Sequence, residues 1–110
     1  MAREFLGNFE LLVLLALVRL GDDAYGVPIS EAIEESTGRE VALGSVYAAL
    51  ERLEEKALVE SRWGDPTPER GGRSKRHFCI TKKGLREARE ARAGLMRLWR
   101  GVPELSRGLA

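Results

Sequence analysis

Cysteine is almost missing from this sequence. The single one, Cys79, allows no internal disulfide and no cysteine-rich metal site. Histidine is just as scarce. His77 is the only one, and a His77–Cys79 pair with no third partner does not make a metal site. No resolving cysteine is present to make Cys79 a redox sensor. Long apolar runs are missing too. The longest, Leu11 to Val18, has eight residues, against roughly 20 for a membrane helix. Arg3 and Glu4 precede only two apolar residues before Gly7 and Asn8, which is not a secretory leader. The expected compartment is the cytoplasm, with no membrane contact. The chain also lacks a nucleophile–base pair, a glycine-rich phosphate loop and a metal-ligand set, so neither an enzyme nor a cofactor is expected.

What is present is an ordinary globular composition. Of 110 residues, 44% are hydrophobic and 32% charged, which is one domain's worth with a modest core. The net charge is only +1, but its distribution is uneven. Residues 1–38 carry a net −5, residues 39–69 a net −3, and residues 70–110 a net +9. Arg70 to Arg86 holds seven basic residues and no acidic one. Such asymmetry suits a polyanion partner, although a solvated basic face would look the same.

Hydrophobic spacing gives the order of elements. Asn8 to Leu20 is apolar on nearly every side, which predicts a buried helix with Asn8 as N-cap. Thirteen residues is long for the rival reading, a strand. A second helix is expected from about Val27 to Thr37, with Pro28 in its first turn and Gly38 as its stop. A third should run from about Leu43 to Lys56, with Leu43, Val46, Leu50 and Leu53 on one stripe. Leu58 to Trp63 and Arg76 to Thr81 read as strands around an eleven-residue Gly/Pro-rich loop, with Trp63 packed at a strand end. A long last helix is expected from about Lys82 to Val102, stopped by Pro103. On it, Ala88, Ala91, Leu95, Leu98 and Val102 follow a 3-4-3-4 spacing suited to packing against another helix.

The fold class this predicts is mainly α with a small β-hairpin (α+β), a winged helix-turn-helix with a long C-terminal dimerisation helix. In that arrangement the third helix enters the major groove of DNA. Gly44, Ser45 and Ala48 are small residues on its outward face near the N-terminus, letting backbone approach a duplex. Arg52 is the long cation on that face, and Glu51, Glu54 and Glu55 collect toward the far end. Tyr47 lies at the border of the stripe, where it could pack or donate its hydroxyl to a phosphate. On the wing, Arg70, Arg73, Lys75 and Arg76 flank Gly71 and Gly72, a composition that reaches phosphates or the minor groove.

Taken together, these residues resemble one family. The string from Gly44 to Glu60 (GSVYAALERLEEKALVE), the basic wing, and Phe78 to Gly84 (FCITKKG) look like the PadR family of bacterial transcription regulators, and Tyr25-Gly26 agrees. The resemblance spans roughly residues 9–100. It implies a DNA-binding domain over residues 1–81 and a dimerisation helix and tail over 82–110. It also implies a homodimer that binds duplex DNA at a palindromic operator, usually as a repressor. Some relatives hold an aromatic or drug-like effector at the dimer interface near a tryptophan of the last helix, a part Trp99 would play here, unless it is simply an aromatic of the dimer core. The family usually has glycine where Ala57 stands, after Glu54-Glu55-Lys56. A left-handed helix end there would cost alanine roughly 1 kcal/mol. The competing reading is a winged-helix protein–protein interaction module without DNA binding, which the near-neutral overall charge favours and the basic wing opposes.

Overall fold

The first helix, α1 (Asn8–Leu20), starts one residue earlier than its expected cap suggests: Gly7, not Asn8, is the N-cap. The reason is Glu10, whose carboxylate turns back and accepts the Gly7 N–H at 3.0 Å. The computed structural model describes residues 6–64 and 75–106. After α1 come a short 3-10 turn (Gly21–Asp23), α2 (Gly26–Thr37), α3 (Leu43–Glu55), β1 (Val59–Trp63), β2 (Arg76–Ile80), α4 (Lys82–Arg100) and the one-turn α5 (Pro103–Ser106). The order expected from the sequence is the order found. The predicted fold class, mainly helical with one hairpin, holds. Pro103 does not simply end the long helix: the helix stops at Gly101, and Pro103 opens α5.

Three helices and the base of the hairpin make the core. Val13, Leu14 and Leu17 from α1 meet Ile29 and Ile33 from α2, Val46, Ala49, Leu50 and Leu53 from α3, and Leu58, Val59 and Phe78 beside them. The spacing of these positions is the 3.6-residue period of a helix stripe. Leu43, expected on that stripe, is exposed instead, because the first turn of α3 overhangs the core. Ala49 takes the fourth place.

Helix α1 is not buried all round. Leu15 is 52% exposed and Val18 is also exposed, because α2, α3 and the hairpin cover only one of its sides.

β1 and β2 pair antiparallel, with Val59 opposite Ile80, Ser61 opposite Phe78 and Trp63 opposite Arg76. Directly opposed residues share a face. One face of the ribbon therefore carries Val59, Ser61, Trp63, Arg76, Phe78 and Ile80, and Phe78 and Val59 turn it toward the core. Trp63 is not packed, as its position at the strand end suggested. It is 69% exposed, because the ribbon runs past the edge of the helical layer.

The end of α3 is a left-handed cap. Ala57 has φ 62°, its N–H donates to the Glu54 carbonyl at 2.9 Å, and the Leu58 N–H donates to the Leu53 carbonyl at 2.9 Å. This is the two-bond termination that usually places glycine at the left-handed residue. The carbonyls just beyond α3 are taken up by the first turn of α4. Thr81 caps that turn, accepting the Gly84 N–H at 3.0 Å and donating its hydroxyl to the Ala57 carbonyl at 2.8 Å. The Lys83 ammonium donates to the Lys56 carbonyl at 3.0 Å. A Cβ on Gly84 would collide with the Leu58 carbonyl oxygen, so the Thr81-x-x-Gly84 spacing serves this close crossing.

Candidate nucleic-acid interface

The outward face of α3 presents Gly44, Ser45, Tyr47 and Ala48 to solvent. Its N-cap, Ala42, has no side-chain acceptor to occupy the first turn. Tyr47 is held from beneath. A Cβ on Gly26 would lie 2.5 Å from the Tyr47 ring and hydroxyl, so the absence of a side chain at the start of α2 makes the seat for that ring. The Tyr25-Gly26 pair thus has two jobs. Gly26 seats Tyr47, and Tyr25 holds the wing: the Lys75 ammonium donates to the Tyr25 hydroxyl at 3.1 Å and sits 4.4 Å above its ring.

The expected cations divide into two groups. Arg70 and Arg73 lie outside the described residues. The other three are engaged within the protein. Lys75 is on Tyr25. Arg76 forms an ion pair with Glu54 of α3 and lies over the Phe78 ring at 5.0 Å. Arg52 donates from Nε to Glu10 Oε2 at 3.4 Å.

Glu10 and Glu54 are the residues that sequence reasoning passed over. Glu10 is only 6% exposed. Besides the Gly7 N–H, it accepts the Lys56 ammonium on both oxygens at 3.2 Å and Arg52. Burial pushes its carboxyl up, but the Gly7 N–H, Lys56 and Arg52 outweigh it and hold the group below its ordinary value of 4.5. A glutamate three residues after the N-cap was the available signal, although nothing in the sequence named its distant partners. Glu54 accepts the Ser61 hydroxyl at 2.6 Å as well as Arg76. One carboxylate of the third helix thus holds both strands of the wing.

His77 meets the Tyr25 ring edge-on at 5.4 Å, and its Nδ1 is buried without a partner among the described residues. Cys79 is exposed. Among the described residues no cluster of three His, Cys, Asp or Glu side chains could hold a metal, and no helix is long and apolar enough to cross a membrane.

On α4 the expected pairing residues separate. Ala88 is already buried against the core, and Ala91 is half-buried. Leu95, Leu98, Trp99 and Val102 are exposed, Leu98 at 76%. Between α1 and α4 runs an open apolar groove of about 860 Å³, lined by Leu11, Leu12, Leu15, Leu85, Leu95 and Met96 among others, with Arg19, Arg89 and Arg92 also in its lining. Trp99 is not among the lining residues.

Three helices, with the third exposed and tied to a two-stranded wing, define a winged helix-turn-helix protein. The Transcriptional regulator PadR-like family profile matches residues 14–90, and the chain belongs to that family. At family level it is a DNA-binding transcriptional regulator. The chain is 40% identical over 87 residues to a 37.1 kDa protein of transposon TN4556 from Streptomyces fradiae, matching 79% of this chain but only 22% of that protein's length. A PadR family transcriptional regulator from Eggerthella lenta is 29% identical, with TM-score 0.68 over 88% of this chain and 82% of its own. A PadR-like regulator from Bacillus cereus shares the fold at 23% identity, with TM-score 0.71 over 91% and 92%.

Proposed function

We propose that this chain is a sequence-specific, cytoplasmic repressor that binds a palindromic operator as a homodimer. One observation carries the DNA-reading part. Small exposed residues at the start of α3 (Gly44, Ser45, Ala48) stand beside a seated Tyr47, on a helix locked to its wing by Glu54. Residues 1–81 form the reading unit in this proposal. Residues 82–110 pair two copies, placing two recognition helices about one duplex turn, ~34 Å, apart. Leu95, Leu98, Trp99 and Val102 supply the exposed apolar side of α4 for that pairing. A small aromatic or drug-like effector would enter between the protomers, over the α1–α4 groove and near Trp99, and alter the spacing of the two helices.

The test is fluorescence anisotropy of a labelled duplex from the chain's own upstream region, beside a scrambled duplex and a salt titration. Preference for the upstream duplex, with log affinity falling steeply against log salt, is the expected result. Ser45→Glu should abolish binding without unfolding the protein, since it places a carboxylate where α3 meets phosphate. If Ser45→Glu bound like the parent, α3 would not be the reading helix. Absence of binding to either duplex at low salt would point to the protein-interaction alternative.

A further inference from the structure

Helix α4 carries its charges in an order that its own stability does not ask for. Acidic residues suit the first turn of a helix and cations the last. Arg97 and Arg100 obey that rule, but the first turn holds Lys82 and Lys83 with no acidic residue, and Arg86 follows. Lys82, Arg86, Arg89, Arg97 and Arg100 are all exposed, and they fall within about 80° of the helix circumference. Neighbours in this stripe stand three or four residues apart, at 82–86–89 and at 97–100, where like charges repel. None of these side chains has a hydrogen bond or ion pair among the described residues. Glu87 and Glu90, the carboxylates of α4, already have partners. The stripe therefore differs from Arg52, Lys75 and Arg76, which are engaged within the protein.

Its position separates it from the other surfaces. Leu95 and Leu98 lie on the opposite side of α4, so pairing of two copies through them leaves the cations facing outward. The stripe is not part of the reading surface either. Thr81 and Lys83, at the start of α4, meet the Ala57 and Lys56 carbonyls just beyond the end of α3. Gly44 and Ser45 stand at the other end of α3, roughly 17 Å away along its axis. From that junction α4 runs over α1, and the groove between them has no residue of α3 in its lining.

From Lys82 to Arg100 the stripe covers about 27 Å of straight helix, which calls for a polyanion of comparable length. A duplex supplies phosphates along its whole length, and a guanidinium pairs with phosphate through two parallel hydrogen bonds. The rival is the acidic side of α2 in a second copy, Glu31, Glu34 and Glu35. Those carboxylates span only about 6 Å of axis, too little to answer the stripe. A chain held on DNA by α3 also has other duplex segments near it at high effective concentration.

We infer that α4 is a second DNA-backbone surface, on which Lys82, Arg86, Arg89, Arg97 and Arg100 hold a duplex segment other than the one α3 reads. An operator-bound dimer would thereby join two segments of DNA. This rests on the DNA-binding reading above. The contact is to phosphate and is indifferent to sequence.

The test immobilises a duplex from the chain's own upstream region on beads and loads it with the full chain at low salt. A labelled random-sequence duplex of about three helical turns is then offered in solution. Loaded beads should capture the labelled duplex, and bare beads should not. Arg86→Gln/Arg97→Gln/Arg100→Gln should load the beads within about twofold of the parent and capture roughly tenfold less. Lysine at the same positions should keep most of the capture, because the contact is one of charge. Parental capture by the glutamine variant overturns the inference. So does loading that falls as far as capture, since the cations would then serve the duplex that α3 reads. Loading without capture by the parent overturns it too and leaves the DNA-binding reading intact. Salt-sensitive association of the parent without DNA, lost in the glutamine variant, assigns the stripe to α2 of a second copy and also overturns it. A parent that loads no beads at low salt removes both.

Discussion

Ala57 is a residue held in a backbone conformation that its side chain opposes. Its φ of 62° is in the left-handed region, where a Cβ crowds the following carbonyl. The fold keeps it there because the Ala57 carbonyl is taken by Thr81 and the Leu58 carbonyl by the Thr81 N–H at 3.0 Å. Ala57 is itself exposed, so removing its methyl loses no packing. Ala57→Gly should therefore raise stability by about 0.5–1 kcal/mol, after allowing for the extra freedom of glycine in the unfolded chain. Thermal melting should rise by a few degrees, and an unchanged or lower melting temperature would show that the cap is not strained. The family's usual glycine at this position gave notice of this conformation from sequence alone.

At the scale of elements, the carboxylates Glu10 and Glu54 do the joining. Glu10 links the start of α1 to the end of α3 through Lys56 and Arg52. Because its folded pKa is held below the ordinary 4.5, its contribution is fully present above that value. It is lost as pH falls through the lower, folded value. Glu10→Gln should cost about 1–2 kcal/mol at pH 7, since Lys56 and Arg52 can still turn to water. The gap between variant and parent should begin to narrow as pH falls below 4.5 and close only below the lower, folded value. Urea melts at several pH values check this, and a gap that persisted in acid would mean that packing, not charge, explains the loss. Glu54 does the equivalent work for the wing. The engagement of Arg52, Lys75 and Arg76 within the protein also gives those cations a scaffold role. The side chains that meet phosphate from the wing are then to be sought among Arg70 and Arg73 as well.

At the scale of the whole molecule, the uncovered sides of α1 and α4 matter most. Leu15 and Val18 on one, and Leu95 and Leu98 on the other, are large apolar side chains left exposed. A second copy would cover them in the proposed assembly. Leu98→Glu should then convert a dimer to a monomer in analytical ultracentrifugation with the circular dichroism unchanged, because Leu98 touches little of its own chain. Losing the second half-site contact should weaken operator binding by roughly 100-fold or more. A Leu98→Glu protein that remained dimeric would place the interface elsewhere.

The sequence by itself determined the element order and the helix stripes, which are written in short-range spacing that neighbours in the chain decide, and its motifs carried the resemblance to the family; for the helix end at Ala57 the only notice was the glycine that the family usually has there. It also marked Tyr25-Gly26 and Thr81-x-x-Gly84 without giving their reasons. Only the tertiary structure decided that Gly26 makes room for Tyr47 and Gly84 for the Leu58 carbonyl. The same is true of Glu10 meeting Lys56, Glu54 holding both wing strands, α1 having an open side, and Trp63 standing in water. These facts depend on which surfaces of distant segments come together. Hydrophobic period fixes the side a residue points to, but not whether another element arrives to cover it.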